Sequence, residues 1–221
     1  MDIRFESIGG NSDWRTRLSG MSVPDCVATD PILSSCLRTL ISGGSISSEV
    51  GISLMHHDSL SALCSLASMV KKSRFDNQVF FNENLHVNTT NICVLACRFC
   101  AFRKGSRHPD AYALSSKDFV ERIDPFSNRI DEVHAVGGLH PDWTIDHYVE
   151  LYSTIKNAYP HIHLKSLTAI EIIHIAERSG ISVKQTLQSL LKSGLGSIPG
   201  GGAEILVDSV RNFICRGKET S

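Results

Sequence analysis

The sequence lacks an excess of charge of either sign, a long hydrophobic run, and an even complement of cysteines. Its 22 Lys and Arg stand against 23 Asp and Glu, for a net charge of −1 at pH 7. Binding to nucleic acid draws its affinity from basic groups that release counterions, so nucleic-acid partners are set aside as a class. No stretch reaches the roughly 18 consecutive apolar residues that a membrane span needs. The opening Met1-Asp2-Ile3-Arg4-Phe5-Glu6 also has no apolar core of the kind a secretory leader carries. A cytoplasmic, reducing setting is therefore expected, with no membrane partner. Seven cysteines cannot all pair with one another, and in such a setting grouped cysteines read as metal ligands before disulfides. What is present is a composition 42% hydrophobic and 20% charged, sufficient for a packed core.

Cys26, Cys36, Cys64 and Cys215 are scattered and read as small buried hydrophobes. Cys93, Cys97 and Cys100 are not scattered: the run Cys93-Val94-Leu95-Ala96-Cys97-Arg98-Phe99-Cys100 spaces three thiols C-x3-C-x2-C. Sulfurs at such intervals converge on one small object when a loop curls around it. Three thiolates satisfy three irons of a [4Fe-4S] cluster, whose usual complement is four cysteines. The remaining iron would be open to a ligand that is not protein. The competing reading is structural zinc, which needs a fourth protein ligand; His86, His108 or Cys215 could supply it.

Residues 1–30 are polar, with Gly9-Gly10 and Ser19-Gly20, and are expected to form a loose arm. A helical lead-in over 31–83 is predicted from two stripes: Ile32, Leu33, Cys36, Leu37 and Leu40, then Leu60, Leu63, Ala67 and Val70 after an Asp58 cap. From about residue 84 the pattern alternates. Strands are predicted near 85–88, 130–136, 161–167 and 194–198. Helices between them open at Ser115, Ile145, Thr168 and Ser182, and a last one runs from Ala203 to Ile214. In the helix opened at Ser182, Val183, Leu187, Leu190 and Leu191 are the expected buried stripe.

Alternating strands and helices of this length give an α/β class with a parallel sheet, and ligand-binding groups collect at the carboxyl ends of such strands. Four strand ends carry candidates: the cysteines after the first, Gly137-Gly138 after the second, Thr168 and Glu171 after the third, and Gly200-Gly201-Gly202 with Glu204 after the fourth. Each has a plain structural alternative. Gly137-Gly138 could be a turn using glycine's tolerance of positive φ. Thr168 and Glu171 have capping-box spacing. Glu204 suits a helix dipole without any ligand, and Gly200-Gly201-Gly202 could be a flexible turn. His134, His140, His161 and His163 read as hydrogen-bonded core or rim, and Arg103-Lys104-Gly105-Ser106-Arg107 as a solvated basic loop. A closed eight-unit barrel takes about 250 residues, more than residues 84–221 supply, so a partial barrel is expected.

The strings around these residues resemble the radical S-adenosylmethionine superfamily, and within it the aminofutalosine synthase family of menaquinone biosynthesis. The likeness rests on His86-Val87-Asn88-Thr89-Thr90-Asn91-Ile92-Cys93, Cys97-Arg98-Phe99-Cys100-Ala101-Phe102, Gly137-Gly138-Leu139-His140-Pro141-Asp142 and Ser197-Ile198-Pro199-Gly200-Gly201-Gly202-Ala203-Glu204. Cyclic dehypoxanthinyl futalosine synthases and deazaflavin-precursor synthases share much of it. The resemblance implies a partial (β/α) barrel over 84–221, a [4Fe-4S] cluster on Cys93, Cys97 and Cys100, and S-adenosyl-L-methionine on its open iron. Gly137, Gly138, Thr168, Glu171, Gly200, Gly201 and Glu204 are the candidate cofactor-binding residues, with Phe99 and Phe102 as apolar shielding. It further implies 3-[(1-carboxyvinyl)oxy]benzoate as substrate and an electron donor such as flavodoxin or ferredoxin. Because the likeness stops short of a whole barrel, a truncated chain, a non-catalytic metal-binding remnant and one half of a split enzyme with a separately encoded C-terminal half all stay open.

Overall fold

The computed structural model describes residues 10–201 and 205–218. The chain divides into two compact units, one ending at Phe81 and one beginning at Asn82.

The first unit is helical: α1 (Trp14–Ser19), α2 (Asp25–Ala28), α3 (Pro31–Ile41), α4 (Ser48–Met55) and α5 (Leu60–Phe75). Its starts are fixed by side chains that accept orphan backbone N–H groups. Asp30 Oδ1 accepts from Ile32 and Leu33, both at 2.9 Å, with Pro31 preset for the first turn. Ser47 and Ser59 cap α4 and α5 in the same way. The cap of α5 is thus Ser59 rather than Asp58, and α4 is a helix the sequence reading does not contain.

Residues 10–30 are not a loose arm. Trp14 and Leu18, one turn apart on α1, are buried together with Val27, Leu33, Cys36, Leu37 and Leu66. Guanidinium groups of Arg15 and Arg74 lie 4.3 and 4.2 Å from the Trp14 ring, and Asn11 bonds back to the Arg74 carbonyl at 2.8 Å. One large aromatic with a partner four residues on suffices to anchor a short helix that composition alone makes look polar. Cys36 and Cys215 are buried as expected, whereas Cys26 and Cys64 are exposed.

The second unit holds β1 (Asn84–His86), α6 (Ser116–Ile123), β2 (Glu132–Ala135), α7 (Ile145–Ala158), β3 (His163–Ser166), α8 (Ala169–Ser179), α9 (Val183–Ser193), β4 (Leu195–Ser197) and α10 (Asp208–Ile214). The four strands form one sheet in sequence order, every pair parallel. Capping boxes open α6 at Ser115/Asp118, α8 at Thr168/Glu171 and α9 at Ser182/Gln185. Gly180 and Gly194 end the latter two helices in the left-handed region, at φ 64° and 114°.

Alternation along the strands sends Val133, Ala135, Leu164 and Leu195 to one face, where they pack with Phe119, Tyr148, Leu151, Tyr152, Ile155, Ile172 and Leu190. The one polar chain in this core is closed: Tyr152 Oη donates to Ser166 Oγ, which donates to the Ala135 carbonyl, each at 2.7 Å. The inward face of α9 is Thr186, Leu190 and Ser193, so of the expected stripe only Leu190 is buried. Val183, Leu187 and Leu191 are exposed, Leu191 by 69%. Thr186 can turn inward because its hydroxyl donates to the Ser182 carbonyl at 3.1 Å. α10 begins at Asp208, five residues later than expected.

Candidate cofactor site

In a parallel sheet every strand delivers its carboxyl end to the same edge, so the following loops meet there. The chain leaving β1 is pinned before it reaches the cysteines. Thr89, Thr90 and Asn91 are all buried, and each is bonded. Thr90 Oγ1 donates to the Tyr112 carbonyl at 2.7 Å and accepts from Ile92 N at 3.0 Å. Asn91 donates to the Asp110 carbonyl at 2.9 Å and accepts from Tyr112 N at 2.8 Å. Beyond them Arg103 Nε donates to the Cys93 carbonyl at 3.2 Å and Arg98 N to the Ile214 carbonyl at 2.7 Å. The loop that carries the thiols is therefore held from both sides by backbone-directed bonds, and Arg103 is a strut rather than a solvated charge.

Gly137-Gly138 follows β2 and lies against that loop. Gly138 N donates to the Thr90 carbonyl at 2.8 Å. A Cβ on Gly137 would stand 2.5 Å from Thr89 Oγ1, and one on Gly138 would overlap the Ile92 carbonyl and reach 3.0 Å from Cys93 Cβ. Neither glycine has positive φ. The turn reading is thus replaced by a close-approach reading: these positions exclude a side chain because the base of the cysteine loop occupies its place.

Glu171 connects the second and third strand ends. Its Oε2 accepts from Thr168 N at 2.7 Å, completing the capping box. Its Oε1 accepts from Gly137 N at 2.9 Å, 34 residues away in the chain. The side chain is 3% exposed, and this burial pushes its carboxyl above the ordinary range although Thr168 and Gly137 pull the other way.

One pocket gathers these pieces. Cys93, Cys97 and Cys100 line it with Gly137, Gly138, Thr168 and Glu171; Leu95, Phe99, Phe102, Val136, Leu139 and Ile170 make its apolar wall, and Arg103 and Lys218 add positive charge. Burial pushes the Cys97 thiol up, Cys215, Cys93 and Cys100 push the same way, and Lys218 opposes them. Gly200 and Gly201 do not line this pocket; Gly201, at φ 149°, sits beside Thr168 instead. Gly202 and Glu204 lie outside the described residues. The wall residues Leu95, Val136, Leu139 and Ile170 and the pins Thr89, Thr90 and Asn91 escaped the sequence reading, although a Thr-Thr-Asn run ahead of a cysteine loop is a legible signal of side chains bonding to backbone.

The donor set fits a cluster: three thiols face one cavity, and none of them is paired in a disulfide. A zinc ion needs its sulfurs all about 2.3 Å away, whereas a cluster accepts each thiolate on a separate iron. Of the three candidate fourth zinc ligands, His108 is engaged by Asp110 N at 3.1 Å.

The radical SAM superfamily model matches residues 87–221. The chain is 36% identical over 72% of its length to 5-amino-6-(D-ribitylamino)uracil–L-tyrosine 4-hydroxyphenyl transferase of Methanococcoides burtonii. It is likewise 36% identical over 78% to aminodeoxyfutalosine synthase of Streptomyces coelicolor, and 33% identical over 78% to FO synthase of that organism. It spans 44%, 45% and 20% of those three relatives. In fold it resembles the crystal structure of HydG, a maturase of the [FeFe]-hydrogenase, with a TM-score of 0.63 and 15% identity, over 97% of this chain and 45% of that one. Among the described residues no helix is long and apolar enough to cross a membrane. Family model, relatives and partial α/β barrel agree, and the chain belongs to the radical SAM superfamily, whose enzymes use a [4Fe-4S] cluster and S-adenosylmethionine.

Proposed function

We propose that this chain forms the cofactor-holding part of a radical SAM transferase of the aminodeoxyfutalosine synthase type, converting 3-[(1-carboxyvinyl)oxy]benzoate to 6-amino-6-deoxyfutalosine. The observation that carries it is the meeting of Cys93, Cys97 and Cys100 with the Gly137-Gly138 backbone and Glu171 at one pocket. The three thiolates would hold the cluster and leave one iron for the amino and carboxylate groups of S-adenosylmethionine. When bound, cluster and cofactor supply the one-electron chemistry that generates a 5'-deoxyadenosyl radical. The chain's own part is to position and insulate. Glu171 fixes the Gly137 amide, Gly138 lets that backbone approach, and Phe99 and Phe102 shape the wall that governs water access. Lys218 and Arg103 suit the carboxylate of the cofactor.

The aminodeoxyfutalosine reading is supported by 36% identity to an enzyme of that name. A second reading is favoured by the equal identity to the tyrosine transferase: transfer of a 4-hydroxyphenyl group from L-tyrosine to 5-amino-6-(D-ribitylamino)uracil. Anaerobically reconstituted protein with a one-electron donor of the flavodoxin or ferredoxin class, or dithionite, should release 5'-deoxyadenosine or an adenosylated product. Product from 3-[(1-carboxyvinyl)oxy]benzoate alone supports the first reading. Product only from the tyrosine and uracil pair replaces it with the second.

A further inference from the structure

The two faces of the sheet differ in chemistry. One is the apolar core face. The other carries polar residues: Asn84 and His86 on β1, Glu132 and His134 on β2, His163 and Lys165 on β3, and Ser197 on β4. Register sorts them into two rows across the strands. Asn84, Glu132 and His163 pair in the first, and His86, His134, Lys165 and Ser197 in the second. The second row is nearer the carboxyl edge: His134 precedes Gly137 by three residues, and Lys165 precedes Thr168 by three. It therefore lies at the strand ends that feed the cofactor pocket.

The imidazoles of His86 and His134 stack at 5.1 Å, and neither ring makes a hydrogen bond to another group among the described residues. Lys165 Nζ forms an ion pair with Glu132 Oε1 at 3.7 Å, too long for a hydrogen bond, and Glu132 Oε1 is buried without a hydrogen-bond partner. His163, by contrast, is committed to Ser197 Oγ at 2.7 Å. His86 is exposed, and His134 and Lys165 are half-buried, so a ligand can reach them. Three nitrogen groups on adjacent strands, about 4.8 Å apart, with the Glu132 carboxylate one row lower, make an anion-binding arrangement.

We propose that His86, His134 and Lys165 bind a carboxylate of the substrate, so that the polar sheet face is the substrate subsite. Burial, then the neighbouring His86 and Lys165, pull the His134 imidazole below its usual range, against Glu132, which raises it. The inference rests on the dicarboxylate reading above, and its test separates the two.

Titration calorimetry of 3-[(1-carboxyvinyl)oxy]benzoate into the cluster-loaded chain gives the affinity, and product analysis on the same samples gives the reaction. Lys165→Met and His134→Phe should each weaken binding about tenfold to a hundredfold, and Lys165→Arg should restore most of it. Four-iron absorbance and a thermal melt report whether each variant stays folded around its cluster. Unchanged affinity in both folded variants overturns the subsite, whether or not wild-type protein makes product. Binding that follows the substitutions while wild-type protein yields no adenosylated product upholds the subsite and overturns the reaction.

Discussion

The ends of β1, β2 and β3 are joined to one another by hydrogen bonds, whereas among the described residues the chain after β4 meets the cysteine loop through α10, where Arg98 N donates to the Ile214 carbonyl at 2.7 Å. On the joined side, Gly138 N donates to the Thr90 carbonyl and Gly137 N to Glu171 Oε1, bonds between loops far apart in sequence. On the other side Leu191, Leu206 and Phe213 are 69%, 74% and 63% exposed, and Gly200 and Gly201 stand away from the pocket. The difference locates the built part of the site. Backbone amides at the second and third strand ends are held in place by protein acceptors, which is the structural meaning of preorganisation.

That contrast is most easily broken at Glu171. Glu171→Ala leaves the Gly137 and Thr168 amides without their acceptor in a buried site, and should cost about 2–5 kcal/mol in urea unfolding; a loss below 1 kcal/mol would show that the three ends are not coupled through it. Its titration gives a second handle. Because burial raises the folded-state value above 4.5, the native state binds more protons than the unfolded state just above that pH. The stabilising contribution is therefore present below the unfolded value and declines as pH rises through the folded one. Glu171→Gln should flatten that decline in a pH series of melts.

Gly138→Ala comes next, at about 1–3 kcal/mol. A Cβ there forces the Ile92 carbonyl aside, so the variant should also take up less iron on reconstitution. Thr90→Val removes a hydroxyl that both donates to Tyr112 and accepts from Ile92, an expected loss of about 1–3 kcal/mol in the same assay. At the small end, Leu191→Lys on the exposed face of α9 should stay within about 0.5 kcal/mol. A larger loss there would mean that the fourth-strand side is as tightly packed as the other three.

Much of the joined side could be read from residues alone, for a physical reason: its signals are local. C-x3-C-x2-C and the capping boxes Ser115/Asp118, Thr168/Glu171 and Ser182/Gln185 each depend on neighbours within a few positions. The second bond of Glu171, to Gly137, spans 34 residues and is created only by the sheet. The same holds for His86, His134 and Lys165, which become a row through strand register. The stripe of Val183, Leu187 and Leu191 misled because periodicity shows that a helix has an apolar face but not which neighbour covers it; here Thr186 and Leu190 face the core. Trp14 and Leu18 were obscured by a polar, glycine-bearing context, although their four-residue spacing is itself a helix signal.

The central claim is that the cysteine loop holds a cluster with one iron left for S-adenosylmethionine. Anaerobic reconstitution of the wild-type chain and of Cys97→Ala, followed by iron and sulfide analysis and assay of 5'-deoxyadenosine with dithionite, tests it most directly. The account predicts about four irons and four sulfides per wild-type chain, with S-adenosylmethionine cleaved, and loss of both in the variant. Tightly held zinc in place of iron, or cleavage that survives Cys97→Ala, would contradict it.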